Sequence, residues 1–205
     1  MENSHVYAQA RRIKLLLTDA DGVLTDNGVY YSAQGEELEQ FSIRDGMGVE
    51  RLRSKGIATG IITGESSLSV VKRAYKLRIT ELYLGVKDKA AQLHEILRDH
   101  HLQPHEVAFI GDDADDVETM KLVGLAACPA DATVFARDAA HYHCTTPGGK
   151  GCFREVAELI IASQIPEPGG PPAGIPEAAI AAQPHIATTR LAAPQALPTH
   201  LFRTL

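Results

Sequence analysis

The sequence predicts an α/β domain built on a doubly wound parallel sheet, and three observations support this fold class. Short apolar runs bounded by Gly or Pro alternate with amphipathic helical segments, which is typical of parallel strands covered on both faces. A chain of 205 residues that is 44% hydrophobic suits one domain with a substantial core. Polar residues follow several apolar runs, as expected where the strands of such a sheet end at a common edge.

Five apolar runs are the predicted strands of this sheet, and they cover residues 13–18, 57–62, 81–84, 107–110 and 125–128. Five helical segments follow or separate them: one that ends at Lys55-Gly56, then 67–77, 89–100, 117–123 and 153–162. A glycine after a cation is a common helix C-terminus. Strand–helix–strand repetition with right-handed crossovers produces the doubly wound sheet.

One segment interrupts this alternation and predicts a β-hairpin. Residues 28–32 and 38–43 have strand character and are joined by 33–36, which contain Gly35. Because the segment comes soon after the first strand of the sheet, we expect the hairpin to project over the edge where the strands end.

Composition restricts the partners that the chain is expected to have. The net charge is −6 without a long basic run, so nucleic acid is not an expected partner. No apolar stretch is long enough to span a membrane, and the N-terminus lacks the apolar core of a secretory signal. The three cysteines, which lack C-x-x-C spacing, are predicted to be buried thiols. These features together predict a cytoplasmic protein.

The composition changes near residue 164, which divides the chain into a predicted domain at 1–164 and a tail at 165–205. The tail contains eight of the eleven prolines and nine alanines. Such a segment does not readily form a packed helix or strand, so we expect it to be disordered. Docking of the tail on a neighbouring subunit is the alternative.

The most informative motif is Asp19-Ala20-Asp21-Gly22, directly after the first apolar run. Two carboxylates at the end of a buried strand can divide the work of a nucleophile or metal ligand and an acid/base. By itself this short motif also fits a plain turn or a fragment of a calcium loop.

Further signals follow other predicted strands in the order Thr63-Gly64, Lys89 and Gly111-Asp112-Asp113, with Asp116 close behind. Each has a simple structural explanation, such as a helix cap or a solvated helix start. Together they predict carboxylates, a hydroxyl and an ammonium around one point. That set suits a phosphoryl group bound with Mg²⁺, since clustered aspartates supply hard oxygen ligands and the cations offset the charge of the phosphate.

These motifs, in this order, resemble the four motifs of the haloacid dehalogenase-like phosphatases over residues 11–162. The stretches 18–26, 35–37, 43–48, 61–64, 111–113, 123–125 and 148–151 further resemble the capless branch that contains the 3-deoxy-D-manno-octulosonate 8-phosphate phosphatases. The resemblance implies a Rossmann-like core with a projecting hairpin and no large cap domain.

The resemblance also implies the roles of the site residues. Asp19 would be the nucleophile that forms an aspartyl-phosphate, and Asp21 the acid/base. Asp19, Asp21 through its carbonyl, and Asp112 would bind Mg²⁺. Thr63, Gly64 and Lys89 would bind the phosphate, with Asp113 and Asp116 as supporting acids. The resemblance further implies a homotetramer in which the hairpin helps to close a neighbouring site.

The resemblance implies that the substrate is 3-deoxy-D-manno-octulosonate 8-phosphate. Relatives in this branch commonly carry Arg after Thr-Gly, whereas this chain has Glu65. Glu65 is similar to the relatives that act on the nine-carbon 2-keto-3-deoxynononate 9-phosphate, which is the alternative substrate, but it could also simply cap or solvate the following helix. Arg44, Lys72 and Lys150 are the candidate partners of the substrate carboxylate, and Arg44 matches the branch best. A non-catalytic tetramerising domain and a receiver-like domain phosphorylated on Asp19 are the other interpretations, although the complete set of motifs favours hydrolysis.

Overall fold

The computed structural model describes residues 2–165, which form a central sheet with helices on both faces. The strands in chain order are β1 (Leu15–Thr18), β2 (Val29–Ser32), β3 (Gly35–Glu39), β4 (Ala58–Ile62), β5 (Glu81–Tyr83), β6 (Val107–Ile110), β7 (Leu125–Cys128) and β8 (Tyr142–His143). Six of them form one sheet in the order β5-β4-β1-β6-β7-β8, and every pair in it is parallel. This confirms the predicted doubly wound α/β fold.

Seven helices connect and cover the strands of the described chain: α1 (Glu2–Ala10), α2 (Ile43–Ser54), α3 (Leu68–Leu77), α4 (Lys89–Asp99), α5 (Val117–Leu122), α6 (Val134–Ala139) and α7 (Cys152–Ser163). The sequence did not predict α1 or α6. Helix α6 is too short to produce a clear periodicity, and α1 has few apolar residues at helical spacing. No helix within residues 2–165 has the length and apolar character of a membrane span.

The hydrophobic core lies on both faces of the sheet, as the alternation of β1 shows. Leu16 belongs to one buried cluster, with side chains of α2 and α7, while Leu15 and Leu17 belong to the other, with side chains of α4 and α5. Because neighbouring residues of a strand point to opposite faces, a wholly apolar strand such as β1 must be covered on both sides.

The order of the strands creates a crevice beside β1. From β1 the chain moves outward through β4 to β5, then returns to place β6 on the other side of β1. In open α/β sheets such a reversal is the point where ligands bind, outside the carboxyl ends of the strands. Asp19 follows β1 and Asp112 follows β6 by two residues, so both belong to this crevice.

The hairpin is present but its second strand was predicted too far along the chain. The antiparallel partner of β2 is β3 at Gly35–Glu39, and α2 already begins at Ile43. The reason is a helix cap: the Ser42 hydroxyl accepts a hydrogen bond from the Arg44 N–H at 3.1 Å, which favours helix over strand at that point. All four residues of β2 are exposed, consistent with a projecting hairpin, and residues 2–165 contain no large cap domain.

The division of the chain at residue 164 stays a prediction. Helix α7 ends at Ser163, close to the predicted boundary. Of the predicted tail, residues 166–205 lie outside the described residues.

Candidate active site

Asp19 is fixed at the end of β1 by its own backbone and by a lysine. The N–H of Ala20 donates to Asp19 Oδ1 at 2.7 Å, and Lys89 Nζ donates to Asp19 Oδ2 at 2.8 Å. The residue is 6% exposed. The carboxylate is therefore held in one orientation at the edge of the sheet.

Lys89, the first residue of α4, binds three carboxylates. Its Nζ lies 2.8 Å from Asp19 Oδ2, 2.8 Å from Asp115 Oδ2 and 2.7 Å from Asp116 Oδ1. Asp88 caps the same helix by accepting from the Ala91 N–H at 2.8 Å, which fixes the backbone from which Lys89 extends. Although 70 residues separate Lys89 from Asp19, the fold brings them into direct contact.

Asp116 holds this cluster in place from the interior of the protein. It is fully buried, and its Oδ2 accepts hydrogen bonds from the N–H groups of Asp112 at 2.9 Å and Asp113 at 3.4 Å. Asp116 thus holds Lys89 with one oxygen and the loop that carries Asp112 with the other.

Asp112 lies against the loop that follows Asp19. Its Oδ2 accepts a hydrogen bond from Asn27 Nδ2 at 3.1 Å. Gly22 has a positive φ of 77°, and a Cβ at this position would lie 1.9 Å from Asp112 Oδ2. Only glycine therefore allows this close approach between the two loops.

Asp21 is positioned by Thr25. The Thr25 hydroxyl donates to Asp21 Oδ1 at 3.3 Å and accepts from the Gly22 N–H at 3.3 Å. Thr25 is buried whereas Asp21 is half-buried. The second carboxylate of the motif is thus oriented by a buried hydroxyl.

Thr63 follows β4, the strand that pairs with β1 on the side opposite β6. It is 1% exposed, and its hydroxyl accepts from the Glu65 N–H at 3.2 Å. Gly64 next to it has room around its Cα, since a Cβ would meet its first heavy atom at 3.7 Å. Glu65 is exposed.

The predicted substrate-binding cations are not all brought together. Arg44, Lys150 and Arg154 line one groove of about 480 Å³, and Lys150 Nζ binds Asp26 Oδ2 at 2.8 Å in the loop after the D-x-D-G motif. Lys72 is exposed on α3 and does not line this groove. Arg44 and Lys150 are therefore neighbours, and Lys72 stands apart.

Burial and charge perturb the acids of this region. Burial and the charge of Asp116 raise the pKa of Asp19 well above its ordinary value, against the opposing effect of Lys89. Burial also raises the pKa of Asp116. Burial alone would lower the pKa of Lys89, but the charges of Asp19 and Asp116 outweigh it and raise that pKa. The lysine is accordingly held as an ammonium.

The cluster of Asp19, Asp115 and Asp116 is one candidate position for a metal ion. One oxygen each from Asp19, Asp115 and Asp116 lies within 4.8 Å of the others, but the Lys89 ammonium already binds all three residues. A cation there would meet a positive charge, so this cluster is better described as the lysine site.

Asp112 has the properties expected of a cation ligand. It is 7% exposed, and burial raises its pKa to about 7, against the hydrogen bond from Asn27. A divalent cation beside it would offset this cost of burial and favour the ionised form. Aspartate oxygens are the hard ligands that Mg²⁺ prefers. Asp112, which borders the Gly22 loop, therefore fits as a ligand of a divalent cation.

The glycine-rich loop at residues 148–151 packs against the Asp19–Asp26 segment. The Gly149 N–H donates to Val23 O at 2.9 Å, and Cys152 Sγ contacts Val23 O at 3.3 Å. At Gly148 a Cβ would lie 1.9 Å from Gly22 O. Glu155 at the start of α7 binds both Thr145 and Thr146 at the base of this loop.

Sequence reasoning missed three contacts of the site. Asn27 binds Asp112, Asp115 binds Lys89, and Glu155 anchors the supporting loop. Asn27 adopts a positive φ of 60°, a conformation in which asparagine is enriched, but a single asparagine is a weak signal. Asp115 lies within the acidic run at residues 112–116, which was apparent in the sequence.

Fold and site together define the class of this protein, and comparison with known proteins agrees. Residues 43–124 match the family model of the haloacid dehalogenase-like hydrolases, a region that includes Thr63, Lys89 and Asp112. The carboxylate after the first strand, the hydroxyl, the lysine and the acids after β6 occupy the same sheet edge. The protein is a haloacid dehalogenase-like hydrolase.

Individual relatives narrow the class to one family. The chain is 43% identical over 159 residues to 3-deoxy-D-manno-octulosonate 8-phosphate phosphatase of Yersinia pestis, which covers 78% of this chain and 85% of the relative. The crystal structure of the Yersinia pestis enzyme has a TM-score of 0.76 at 42% identity and covers 78% of this chain and 86% of its own. The enzyme from Moraxella catarrhalis, solved with magnesium ion, phosphate ion and KDO, has a TM-score of 0.77 at 34% identity, with 78% and 92% covered.

The chain therefore belongs to the 3-deoxy-D-manno-octulosonate 8-phosphate phosphatase family.

Proposed function

We propose that this protein is a Mg²⁺-dependent phosphatase that hydrolyses 3-deoxy-D-manno-octulosonate 8-phosphate through an aspartyl-phosphate. The observation that carries the proposal is Asp19 at the end of β1, bound by the Ala20 N–H and the Lys89 ammonium. The name of the relative from Yersinia pestis and the ligands of the one from Moraxella catarrhalis support the substrate.

Asp19 is the proposed nucleophile. One of its carboxylate oxygens attacks phosphorus, and the bond from phosphorus to the sugar oxygen breaks. Asp21, oriented by Thr25, gives its proton to the departing oxygen. In the second step Asp21 takes a proton from the water that attacks the aspartyl-phosphate, which releases phosphate and restores Asp19.

Lys89, Thr63 and the backbone of Gly64 are the proposed phosphate ligands. The raised pKa of Lys89 keeps its ammonium charged beside the phosphate. Thr63 is fixed by the hydrogen bond from Glu65 N, so its hydroxyl is already oriented before a ligand binds. Donors fixed in advance stabilise charge that develops in the transition state.

Asp19, the Asp21 carbonyl and Asp112 are the proposed ligands of Mg²⁺, in keeping with the raised pKa of Asp112. When bound, the ion offsets the repulsion between an anionic nucleophile and an anionic phosphate.

For the sugar-acid carboxylate, the groove favours Arg44 over Lys72. Arg44 lies with Lys150 and Arg154 in one concave surface, whereas Lys72 is exposed on α3. Glu65 keeps the nine-carbon 9-phosphate as the second candidate substrate. An exposed carboxylate beside Thr63-Gly64 would repel a substrate carboxylate but accept hydrogen bonds from sugar hydroxyls.

The test is release of phosphate from the eight-carbon 8-phosphate and the nine-carbon 9-phosphate, assayed side by side with Mg²⁺ and with EDTA. We expect Mg²⁺-dependent turnover with preference for the eight-carbon substrate. Preference for the nine-carbon compound would support Glu65 as a specificity residue. Absence of turnover with both would contradict the proposal and favour a tetramerising domain.

We also propose a homotetramer in the cytoplasm. Tyr30, Tyr31 and Leu38 on the hairpin are 65%, 71% and 61% exposed, and large exposed apolar side chains close together mark interaction surfaces. The three cysteines are free and buried, as is usual in a reducing compartment. Light scattering on the purified protein measures the number of subunits, and a monomer would contradict the assembly.

A further inference from the structure

Three carboxylates already surround the Lys89 ammonium at the place where a phosphate would bind. A lysine ammonium carries three N–H groups, and Lys89 Nζ is within 2.8 Å of three carboxylate oxygens, from Asp19, Asp115 and Asp116. If Lys89 is a phosphate ligand, as in the proposed function on which this inference rests, one of these contacts has to be released when phosphate binds.

Two of the three carboxylates are held by other groups. Asp116 is fully buried and also accepts hydrogen bonds from the N–H groups of Asp112 and Asp113. Asp19 also accepts a hydrogen bond from the Ala20 N–H, and its side chain is 9% exposed. Release of either one would leave a buried carboxylate without its cation, which is costly.

Asp115 differs from both of them. Its side chain is 59% exposed, and Lys89 is the one partner that the described residues give its carboxylate. When it leaves Lys89, this carboxylate enters water and loses little solvation. Asp115 is therefore the carboxylate that can be released at the smallest cost.

We propose that Asp115 is a displaceable ligand of Lys89 that competes with phosphate. In the free protein its carboxylate lies 2.8 Å from the ammonium, in a place that an oxygen of the phosphate needs. The residue therefore lowers the affinity for the phosphoryl group of the substrate and for the phosphate product, and it favours release of that product.

The size of the effect follows from the exposure of Asp115. Ion pairs between exposed side chains stabilise by about 0.2–1 kcal/mol. Because the Lys89 side chain is itself buried, the upper part of this range applies, about 0.4–1 kcal/mol. Removal of the competing contact is thus expected to strengthen phosphate binding by about two- to fivefold.

The variants are Asp115→Asn and Asp115→Ala, with Glu118→Gln as the matched control. Glu118 is exposed on the following helix and pairs with Lys121, so its replacement removes the same unit charge from the same segment without the contact to Lys89. The probe is inorganic phosphate. Its Kd is measured by calorimetric titration in the presence of Mg²⁺, and its inhibition constant is measured against the sugar-acid phosphate.

We expect both Asp115 variants to bind phosphate about two- to fivefold more tightly than wild type, with the alanine variant at least as tight as the asparagine variant. The Glu118 variant should stay within about 1.5-fold of wild type. Unchanged or weaker binding in the Asp115 variants would overturn the proposal, because Asp115 would then be neutral or would orient Lys89. Equal gains in the Glu118 variant would overturn it as well, because the effect would then come from charge alone.

The failure of this inference can be distinguished from failure of the proposed function. If wild type hydrolyses the sugar-acid phosphate and the Asp115 variants bind phosphate with the Kd of wild type, only the proposed displacement of Asp115 is contradicted. A wild type that binds phosphate without hydrolysing the sugar-acid phosphates contradicts the proposed function, while the comparison of Kd values still decides the role of Asp115. A wild type that does not bind phosphate contradicts both.

Discussion

The surroundings of Glu155 and Asp112 shift the pKa values of these two carboxyl groups in opposite directions. Glu155 accepts five hydrogen bonds, from the Tyr142 hydroxyl and from the N–H and hydroxyl groups of Thr145 and Thr146. Burial acts to raise its pKa, but these donors outweigh burial and lower it. Asp112 accepts one side-chain hydrogen bond, from Asn27, and its pKa is raised to about 7.

We infer from the difference that Glu155 builds the structure, whereas Asp112 serves the proposed chemistry. A carboxylate that accepts several hydrogen bonds is stabilised in its charged form and holds its neighbours in place. A buried carboxylate with few donors is unstable as an anion until a cation arrives. The region around Glu155 is therefore complete in itself, whereas under the proposed function the region around Asp19 and Asp112 is completed by its ligands.

Replacement of the nucleophile tests the catalytic half of this comparison and should have the largest effect. We expect Asp19→Asn to lower kcat by at least about 10³-fold, because the amide cannot form the aspartyl-phosphate. The fold should persist, which circular dichroism can check. Turnover close to that of wild type would contradict a covalent mechanism through Asp19.

Asp112→Asn tests whether the second acid is reserved for a cation. We expect the Kd for Mg²⁺ to rise by at least about tenfold, the scale observed even for residues that only support metal ligands. Without metal, the variant should melt no lower than wild type, because the amide avoids the cost of burying a charge. Titration calorimetry and thermal melts with EDTA measure the two effects. A marked loss of stability without metal would show that Asp112 is a structural acid like Glu155.

Glu155→Gln tests the structural half of the comparison. Because an amide replaces one of the two accepting oxygens, we expect a loss of about 1–3 kcal/mol in the free energy of unfolding. Urea denaturation measures it, with Glu158→Gln as a matched control. Glu158 pairs with Arg51 and Arg154 near the surface, so its replacement should cost less than about 1 kcal/mol. Equal effects of the two variants would contradict the special role of Glu155.

The free energies of unfolding of wild type and Glu155→Gln should differ less as the solution becomes acidic. The pKa of Glu155 is lower in the folded protein than its ordinary value of 4.5. Its stabilising effect is therefore complete above that value and is lost as the pH falls through the lower folded pKa. Denaturation of wild type and Glu155→Gln at several pH values between about 7 and 3 should show the gap closing at the acid end. A gap that stays constant would mean that the charge of Glu155 is unimportant.

Lys150→Ala should have the smallest effect on stability. Lys150 and Asp26 form a pair whose side chains are 48% and 28% exposed, and such pairs stabilise by about 1 kcal/mol or less. Urea denaturation should place this variant between wild type and Glu155→Gln. A loss as large as that of Glu155→Gln would show that Lys150, rather than Glu155, holds the supporting loop to the Asp19–Asp26 segment.

Much of the fold was predictable from the sequence because its signals are local. The strands Leu15–Thr18 and Val107–Ile110 are buried on both faces of the sheet and are followed closely by acidic residues. Strand positions and the edge that carries the site therefore follow from neighbouring residues. The second strand of the hairpin was placed wrongly because Ser42 can continue a strand or cap a helix, and the cap prevailed. The assigned roles of Asp19, Asp21, Thr63, Lys89 and Asp112 stay predictions, although the fold brings Lys89 to Asp19.

What the sequence determined by itself is the set of reactive groups and their order, because each follows a strand whose character is set by nearby residues. What the tertiary structure decided is how these groups are paired: that Lys89 binds Asp19, Asp115 and Asp116, and that Glu155 rather than Asp112 receives the larger share of donors. Pairing depends on distances between residues far apart in the chain and on burial, which changes the free energy of a charge. Neither quantity exists until the strands have assembled.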